Sequence, residues 1–191
     1  MVRKTLIITG VPGTGKSSIA KLAAKQAGLP LIDLNALVKE RGLYSEIDEA
    51  DEARVVVLSK LESEANKELK KCKAGAVVEG HLACEISLKP ASAVIVCRTN
   101  PKTLRERLVR RGYLPDKMKA NEISEMLDYC TIKAVQKYGA KKVFEIDTTK
   151  ASLEQNAKEC LEILKGGKAA KKYLPRINWA DVLFEQEVKF R

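Results

Sequence analysis

The stretch Gly10-Val-Pro-Gly-Thr-Gly-Lys-Ser17 follows an apolar run at residues 5–9 and precedes a segment of helical composition at residues 18–27. Its spacing, G-x-x-x-x-G-K-[ST], is typical of a loop whose glycines let successive backbone N–H groups point at phosphate oxygens. In such a loop Lys16 reaches the terminal phosphates, and the Ser17 hydroxyl is placed to hold Mg²⁺. The strand and helix context favours this interpretation over a glycine-rich turn with no ligand. The stretch therefore predicts a phosphate-binding strand–loop–helix unit.

Short apolar runs alternate with helix-length amphipathic segments along the rest of the chain. We predict strands at residues 5–9, 31–33, 76–79, 93–98 and 143–147. We predict helices at residues 15–27, 34–41, 51–71, 101–111, 115–138 and 152–165. This alternation is typical of an α/β fold with a mostly parallel sheet.

The last part of the chain, residues 166–191, begins with the helix-breaking pair Gly166-Gly167 and carries the basic pair Lys171-Lys172. The apolar residues that follow recur near helical spacing. We expect a helix that packs back onto the domain, with docking to a partner as the alternative.

Length and composition favour a single domain in a reducing compartment. A chain of 191 residues can bury a core without metal or disulfide help. Its five cysteines are odd in number and include no C-x-x-C pair, which argues against a zinc site and a secreted disulfide framework. The start of the chain has no apolar leader, and no apolar run reaches about eighteen residues, so we expect a soluble, cytoplasmic protein.

The formal net charge of +10 is unevenly distributed. Residues 98–120 contain eight Lys or Arg and two acids, whereas residues 33–64 contain nine Asp or Glu and four Lys or Arg. A basic face and an acidic face are therefore expected. The net charge alone does not separate an enzyme that binds phosphates from a nucleic-acid-binding module, since both attract polyanions.

Glu79 and His81, at and just beyond the end of a predicted strand, are candidates for chemistry at the phosphates. Glu79 ends the predicted strand 76–79, where an acid can order the Mg²⁺ shell; a water-exposed carboxylate is the alternative. His81, the sole histidine, follows two residues later. It either takes part in proton chemistry or is a satisfied surface or core imidazole.

Arg107 and Arg111 are four residues apart in a predicted helix, so they share one face. Two guanidinium groups on one face can close over a polyphosphate, and Gly112 can serve as the hinge of such a lid. A solvated charged face or an RNA-binding surface is the alternative.

Together these motifs resemble the adenylate kinase isoenzyme 6 family. The matching stretches are the phosphate loop, Leu43-Tyr44 before an acidic run, Val77-Val-Glu-Gly-His81, Arg98-Thr-Asn100 and Glu106-Arg-Leu-Val-Arg-Arg-Gly-Tyr113. The similarity covers residues 4–165 and leaves out 166–191. It implies a three-layer nucleoside monophosphate kinase fold over 1–165, with a central parallel sheet of about five strands. It also implies a monophosphate-binding segment near 33–57, a lid near 110–120 and a basic appendix at 166–191.

The resemblance also implies roles for individual residues. ATP is held by Gly13, Thr14, Gly15, Lys16, Ser17 and Ser18, with Arg111 on the phosphates and Arg107 packed on adenine. The loop 147–150 borders the base. The implied catalytic residues are Lys16, Glu79, His81 and Arg111. The residues implied to bind the monophosphate are Asp33, Lys39 and Arg41. The resemblance implies that Ser17 and Glu79 hold Mg²⁺. Eukaryotic family members carry aspartate at the position of Glu79, so the longer glutamate side chain could contact the metal through water.

The activity implied is transfer of the γ-phosphoryl group of ATP to AMP or another nucleoside monophosphate, with ATP hydrolysis linked to His81. A role in small ribosomal subunit maturation, with a basic ribosomal protein and contact with rRNA, is also implied. The acidic tract 46–52 has five carboxylates in seven residues, which would repel a nucleotide and attract a basic protein. The alternative to such docking is that the acidic residues mark the start of a helix at Asp51, where negative charge favours the helix dipole. For the whole chain, the alternative is a non-enzymatic RNA- or ribosome-binding module.

Overall fold

A computed structural model describes residues 4–48 and 53–182. Its strands are β1 (Leu6–Thr9), β2 (Leu31–Asp33), β3 (Tyr44–Asp48), β4 (Ala53–Val56), β5 (Val77–Glu79), β6 (Ala93–Arg98) and β7 (Val143–Asp147). Its α-helices are α1 (Lys16–Ala27), α2 (Leu34–Arg41), α3 (Leu58–Lys71), α4 (Pro101–Arg110), α5 (Pro115–Met126), α6 (Tyr129–Tyr138) and α7 (Leu153–Lys165). None of these described helices is long and apolar enough to span a membrane.

Five parallel strands form the central sheet in the order β2-β5-β1-β6-β7. Ile7 packs in a core with residues of α2, α3, α4 and α6, whereas Leu6 and Ile8 pack in a second core with residues of α1 and α7. Helices therefore cover both faces, which confirms the predicted three-layer α/β fold. Because the strands are parallel, their carboxyl ends meet at one edge of the sheet, where ligands bind in such folds.

The prediction of a helix over residues 51–71 is wrong at its start. The antiparallel pair β3 and β4 precedes α3, which begins only at Leu58. The run Val55-Val-Val57 explains the difference, because β-branched residues favour extended backbone. The alternative of an acidic helix entrance at Asp51 lies outside the described residues, and the helix that follows, α3, begins at Leu58.

The predicted helix over residues 115–138 is two helices. The helix is interrupted between α5 and α6 at Asp128, which has a left-handed φ of 54°. Aspartate tolerates this conformation better than most side chains. The Asp128 carboxylate accepts a hydrogen bond from the buried Arg98 guanidinium, which holds the break in place.

The C-terminal segment 166–182 packs onto the domain, but in its described residues it is mostly not α-helical. A short 3₁₀ turn, Ala169–Tyr173, is followed by irregular backbone, and a helical turn starts only at Ala180. The Glu145 carboxylate accepts hydrogen bonds from the backbone N–H groups of Arg176 and Ile177, at 2.8 and 2.9 Å. Pro175 and the pair Gly166-Gly167 disfavour the regular helix expected from the apolar spacing of this segment.

Candidate functional site

The phosphate loop joins β1 to α1 in a conformation that requires its glycines. Gly13 has a φ of +94°, and a Cβ placed there would lie 2.7 Å from Leu104 Cδ1. Within the loop, Thr14 Oγ1 donates a hydrogen bond to Val11 O at 3.0 Å. No side chain caps the N-terminus of α1 in the described structure. Its first N–H groups can therefore bind an anion.

Lys16 lies at the start of α1 and is only 8% exposed. Its Nζ donates a hydrogen bond to Val11 O at 3.4 Å. Burial lowers the pKa of Lys16, and the charge of Glu79 opposes that shift. A buried ammonium with so weak a hydrogen bond is placed to gain from an anionic ligand.

Glu79 and Ser17 are brought together at the carboxyl end of β5. Ser17 Oγ donates a hydrogen bond to Glu79 Oε2 at 3.2 Å, and Glu79 is 2% exposed. Burial raises the pKa of Glu79, and the charge of Asp33 raises it further. A bound cation would favour the ionised carboxylate.

Both groups are suitable for Mg²⁺, which prefers hydroxyl and carboxylate oxygens. The described residues contain no group of three or more His, Cys, Asp or Glu side chains able to hold a metal ion. Ser17 and Glu79 would therefore need phosphate oxygens and water to complete the shell, as is usual for Mg²⁺ at nucleotide sites.

His81 begins a 3₁₀ turn, His81–Cys84, directly after β5. Its backbone oxygen accepts a hydrogen bond from Thr9 Oγ1 at 3.0 Å, which fixes the turn against β1. Burial, with a smaller contribution from the charge of Lys16, lowers the pKa of His81 to about 4. The imidazole is therefore neutral near pH 7 and can accept a hydrogen bond from water.

A cavity of about 420 Å³ opens beside the phosphate loop. Six of the predicted ATP-binding residues line it: Gly13, Thr14, Gly15, Ser18, Arg107 and Arg111. Arg107 Nη2 donates hydrogen bonds to Thr148 O at 2.8 Å and Thr149 O at 3.1 Å. The guanidinium is thereby held against the loop after β7, where a base can stack on it.

The loop after β7 is tied directly to the phosphate loop. Thr148 Oγ1 lies 2.8 Å from Thr14 O and 2.6 Å from Thr99 Oγ1. The loop 147–150, which was predicted to border the base, contributes Thr148 to the cavity. The cavity residues that follow this loop, Ala151, Leu153 and Asn156, were not predicted. No local motif marks them, because the start of α7 has the pattern of an ordinary amphipathic helix.

The predicted monophosphate residues lie apart from this cavity. Asp33 caps α2 by accepting hydrogen bonds from the N–H groups of Asn35 and Ala36, at 2.8 and 3.0 Å. Arg41 pairs with Glu68 Oε1 at 3.3 Å and, with Asp33, lines another cavity of about 360 Å³. Lys39 is exposed on α2. Binding of a monophosphate by these three residues stays a prediction.

The sheet order and the phosphate loop after its central strand define a phosphate-loop kinase fold. Solved structures share it. Shikimate kinase from Acinetobacter baumannii is 15% identical, with a TM-score of 0.59, over 87% of this chain and 96% of that one. A gluconokinase from Sinorhizobium meliloti is 19% identical, with a TM-score of 0.51, over 85% and 91%. At these identities the likeness concerns the fold alone.

Sequence relatives identify the family. Residues 6–128 match the family described as AAA domain. A protein named "Putative adenylate kinase" from Methanocaldococcus jannaschii is 33% identical over 180 residues, 94% of this chain and 95% of its own. One of the same name from Archaeoglobus fulgidus is 35% identical over 187 residues, 97% of each chain. The chain belongs to the family of these archaeal proteins, and the resemblance inferred from its motifs is confirmed.

Proposed function

We propose that this protein transfers the γ-phosphoryl group of Mg²⁺-bound ATP to AMP or another nucleoside monophosphate. The observation that carries the proposal is the buried Lys16, set beside the Ser17–Glu79 pair and next to a cavity lined by Arg107 and Arg111. The adenylate kinase name of the archaeal relatives supports the same activity. Because the cysteines are free thiols throughout the described chain, we place the protein in the cytoplasm.

Phosphoryl transfer asks an enzyme mainly to position the reactants and neutralise charge. The N–H groups of the phosphate loop and Lys16 would bind the phosphates, and Arg111 would close on them from the end of α4. Mg²⁺, held by Ser17 and by Glu79 directly or through water, would offset phosphate charge when bound. Arg107 would hold the base against the loop after β7.

The test is ADP production by the purified protein with Mg²⁺ and ATP, with and without AMP, and then with CMP, UMP and GMP. We expect ADP production to depend strongly on the monophosphate. Slow ADP production without a monophosphate would report hydrolysis. No ADP under any condition, together with tight RNA binding, would favour the alternative of a non-enzymatic module.

We also propose that the protein hydrolyses ATP and that His81 supports this reaction. A neutral imidazole beside Lys16 can orient an attacking water, whereas a bound monophosphate carries its own positioned nucleophile. The variant His81→Ala should therefore lose more hydrolysis than transfer to AMP. Equal losses in the two assays would contradict this role.

A second proposal is that the protein works as an assembly factor with a basic small-subunit ribosomal protein, in contact with rRNA. It is supported by the acidic tract 46–52, part of which lies on β3, between α2 and β4 in the chain. Replacing its carboxylates by Asn and Gln should abolish capture of such a protein in a pull-down. ATP hydrolysis stimulated by that protein would support the role. Unchanged capture by the variant would show that the tract is not the surface that binds the ribosomal protein.

A further inference from the structure

Asn156 carries a buried carbonyl oxygen without a partner at the wall of the nucleotide cavity. The residue is the fourth of α7, lines the cavity of about 420 Å³ and is 3% exposed. Its Oδ1 has no hydrogen-bond partner among the described residues. A buried acceptor left unpaired is costly, so such groups are rare and call for an explanation. Because Asn156 lines this cavity, a ligand bound there can supply the missing donor.

The place of Asn156 in the cavity separates it from the phosphates. The cavity is formed by the phosphate loop, with Gly13 and Gly15, and by the residues after β7, with Thr148 and Ala151. A triphosphate seated on the loop N–H groups leaves the second set of residues for the base. Asn156 therefore belongs to the part of the cavity where the base of the nucleotide would lie.

The orientation of the amide is set by its other end. Asn156 Nδ2 donates a hydrogen bond to Ala151 O at 3.4 Å, which assigns the carbonyl oxygen as the end without a partner. If the amide turned over, two carbonyl oxygens would face each other and the bond to Ala151 would be lost. The group thus presents an acceptor, and a ligand that needs a donor there would have to break this arrangement.

We propose that Asn156 selects a 6-aminopurine as the base of the phosphoryl donor, an inference that rests on the proposed function. Adenine carries an amino group at C6, which can donate to Asn156 Oδ1 after a small adjustment of the side chain. Guanine carries a carbonyl oxygen at the same place, so two acceptors would meet. Sites built around a buried hydrogen bond discriminate strongly against a ligand that leaves the partner unpaired.

The experiment measures binding of the Mg²⁺ complexes of ATP, GTP and purine riboside triphosphate, which lacks the 6-amino group, by calorimetry on the full chain. The wild-type protein should bind ATP at least about 10-fold more tightly than either analogue. In Asn156→Leu, ATP and purine riboside triphosphate should bind equally. The matched control Gln155→Leu changes an exposed neighbour on the same helix and should keep the preference.

The outcomes separate this inference from the function on which it rests. Binding of ATP and both analogues with equal affinity to the wild-type protein would overturn the role of Asn156 and leave the kinase proposal intact. A preference retained in Asn156→Leu would also overturn it. No binding of any nucleotide would instead overturn the proposed function. Because the wild-type comparison needs no variant, the inference stays testable if Asn156→Leu does not fold.

Discussion

Two cations are buried at the carboxyl edge of the central sheet, and they differ in how completely the protein satisfies them. Arg98, 1% exposed at the end of β6, donates from Nε to Glu125 at 2.7 Å and from Nη1 to Glu145 at 2.6 Å. Its Nη2 also bonds Asp128. Lys16, in contrast, donates within the described structure to Val11 O, at 3.4 Å.

The difference separates a structural cluster from a binding site. Arg98 is surrounded by its own counterions, so an added anion would gain little there. Lys16 is buried with one long hydrogen bond to a backbone oxygen, so a phosphate ligand would supply the anionic partner that Arg98 already has within the protein. Buried polar groups that a fold leaves poorly paired are therefore better guides to function than buried charge alone.

The largest expected effect is on stability, from Arg98→Met. This change leaves the carboxylates of Glu125 and Glu145 buried without their counterion, which should reduce the free energy of unfolding by about 3–5 kcal/mol. Urea denaturation measures it. The control Lys67→Met removes an exposed ion pair with Glu64 and should leave the midpoint almost unchanged. A small effect of Arg98→Met would show that the two buried cations do not differ as proposed.

The second effect is on catalysis, from Lys16→Ala. Loss of the ammonium should reduce ADP production by about 10²–10³-fold, because the phosphates lose their main buried cation. The thermal midpoint should stay the same or rise, since a poorly paired buried charge is removed. Lys25→Ala, at an exposed position of α1, is the matched control. Full activity in Lys16→Ala would refute the assignment of the phosphate loop.

A smaller effect is expected from Arg111→Ala, which removes an exposed cation at the end of α4. If the guanidinium tightens on the phosphates only in the transition state, kcat should fall by about 10- to 100-fold with little change in KM for ATP. Steady-state kinetics give both constants, with Lys137→Ala, at an exposed position of α6 outside the predicted lid, as control. A rise in KM alone would instead place Arg111 in ground-state binding.

The smallest effect concerns the pH dependence of stability. Burial raises the pKa of Glu145, but hydrogen bonds, including one from Thr131, and the charge of Arg98 bring it below its ordinary value. Such a carboxyl contributes stability above its unfolded pKa and loses it as the pH falls through the folded one. The free energy of unfolding should therefore fall less from about pH 5 to about pH 3 in Glu145→Gln than in the wild type. Parallel curves would contradict this.

Much of the fold followed from local patterns. The five central strands and the phosphate loop were predicted close to their observed positions, because buried parallel strands leave continuous apolar runs in a sequence. The hairpin of β3 and β4 was missed, since an acidic run obscured the β-branched residues behind it. The break at Asp128 was missed because its partner, Arg98, lies 30 residues away in the chain.

The residues of the candidate site divide in the same way. Local spacing identified the phosphate loop, with Lys16 and Ser17, because glycine and lysine at fixed intervals are needed wherever a backbone loop binds phosphate. Only the tertiary structure decided that Thr148 meets Thr14, 134 residues away, and that Asn156 lines the same cavity. Such contacts depend on how β7 and α7 pack beside β1 and α1, and no local pattern records which long-range surfaces will meet.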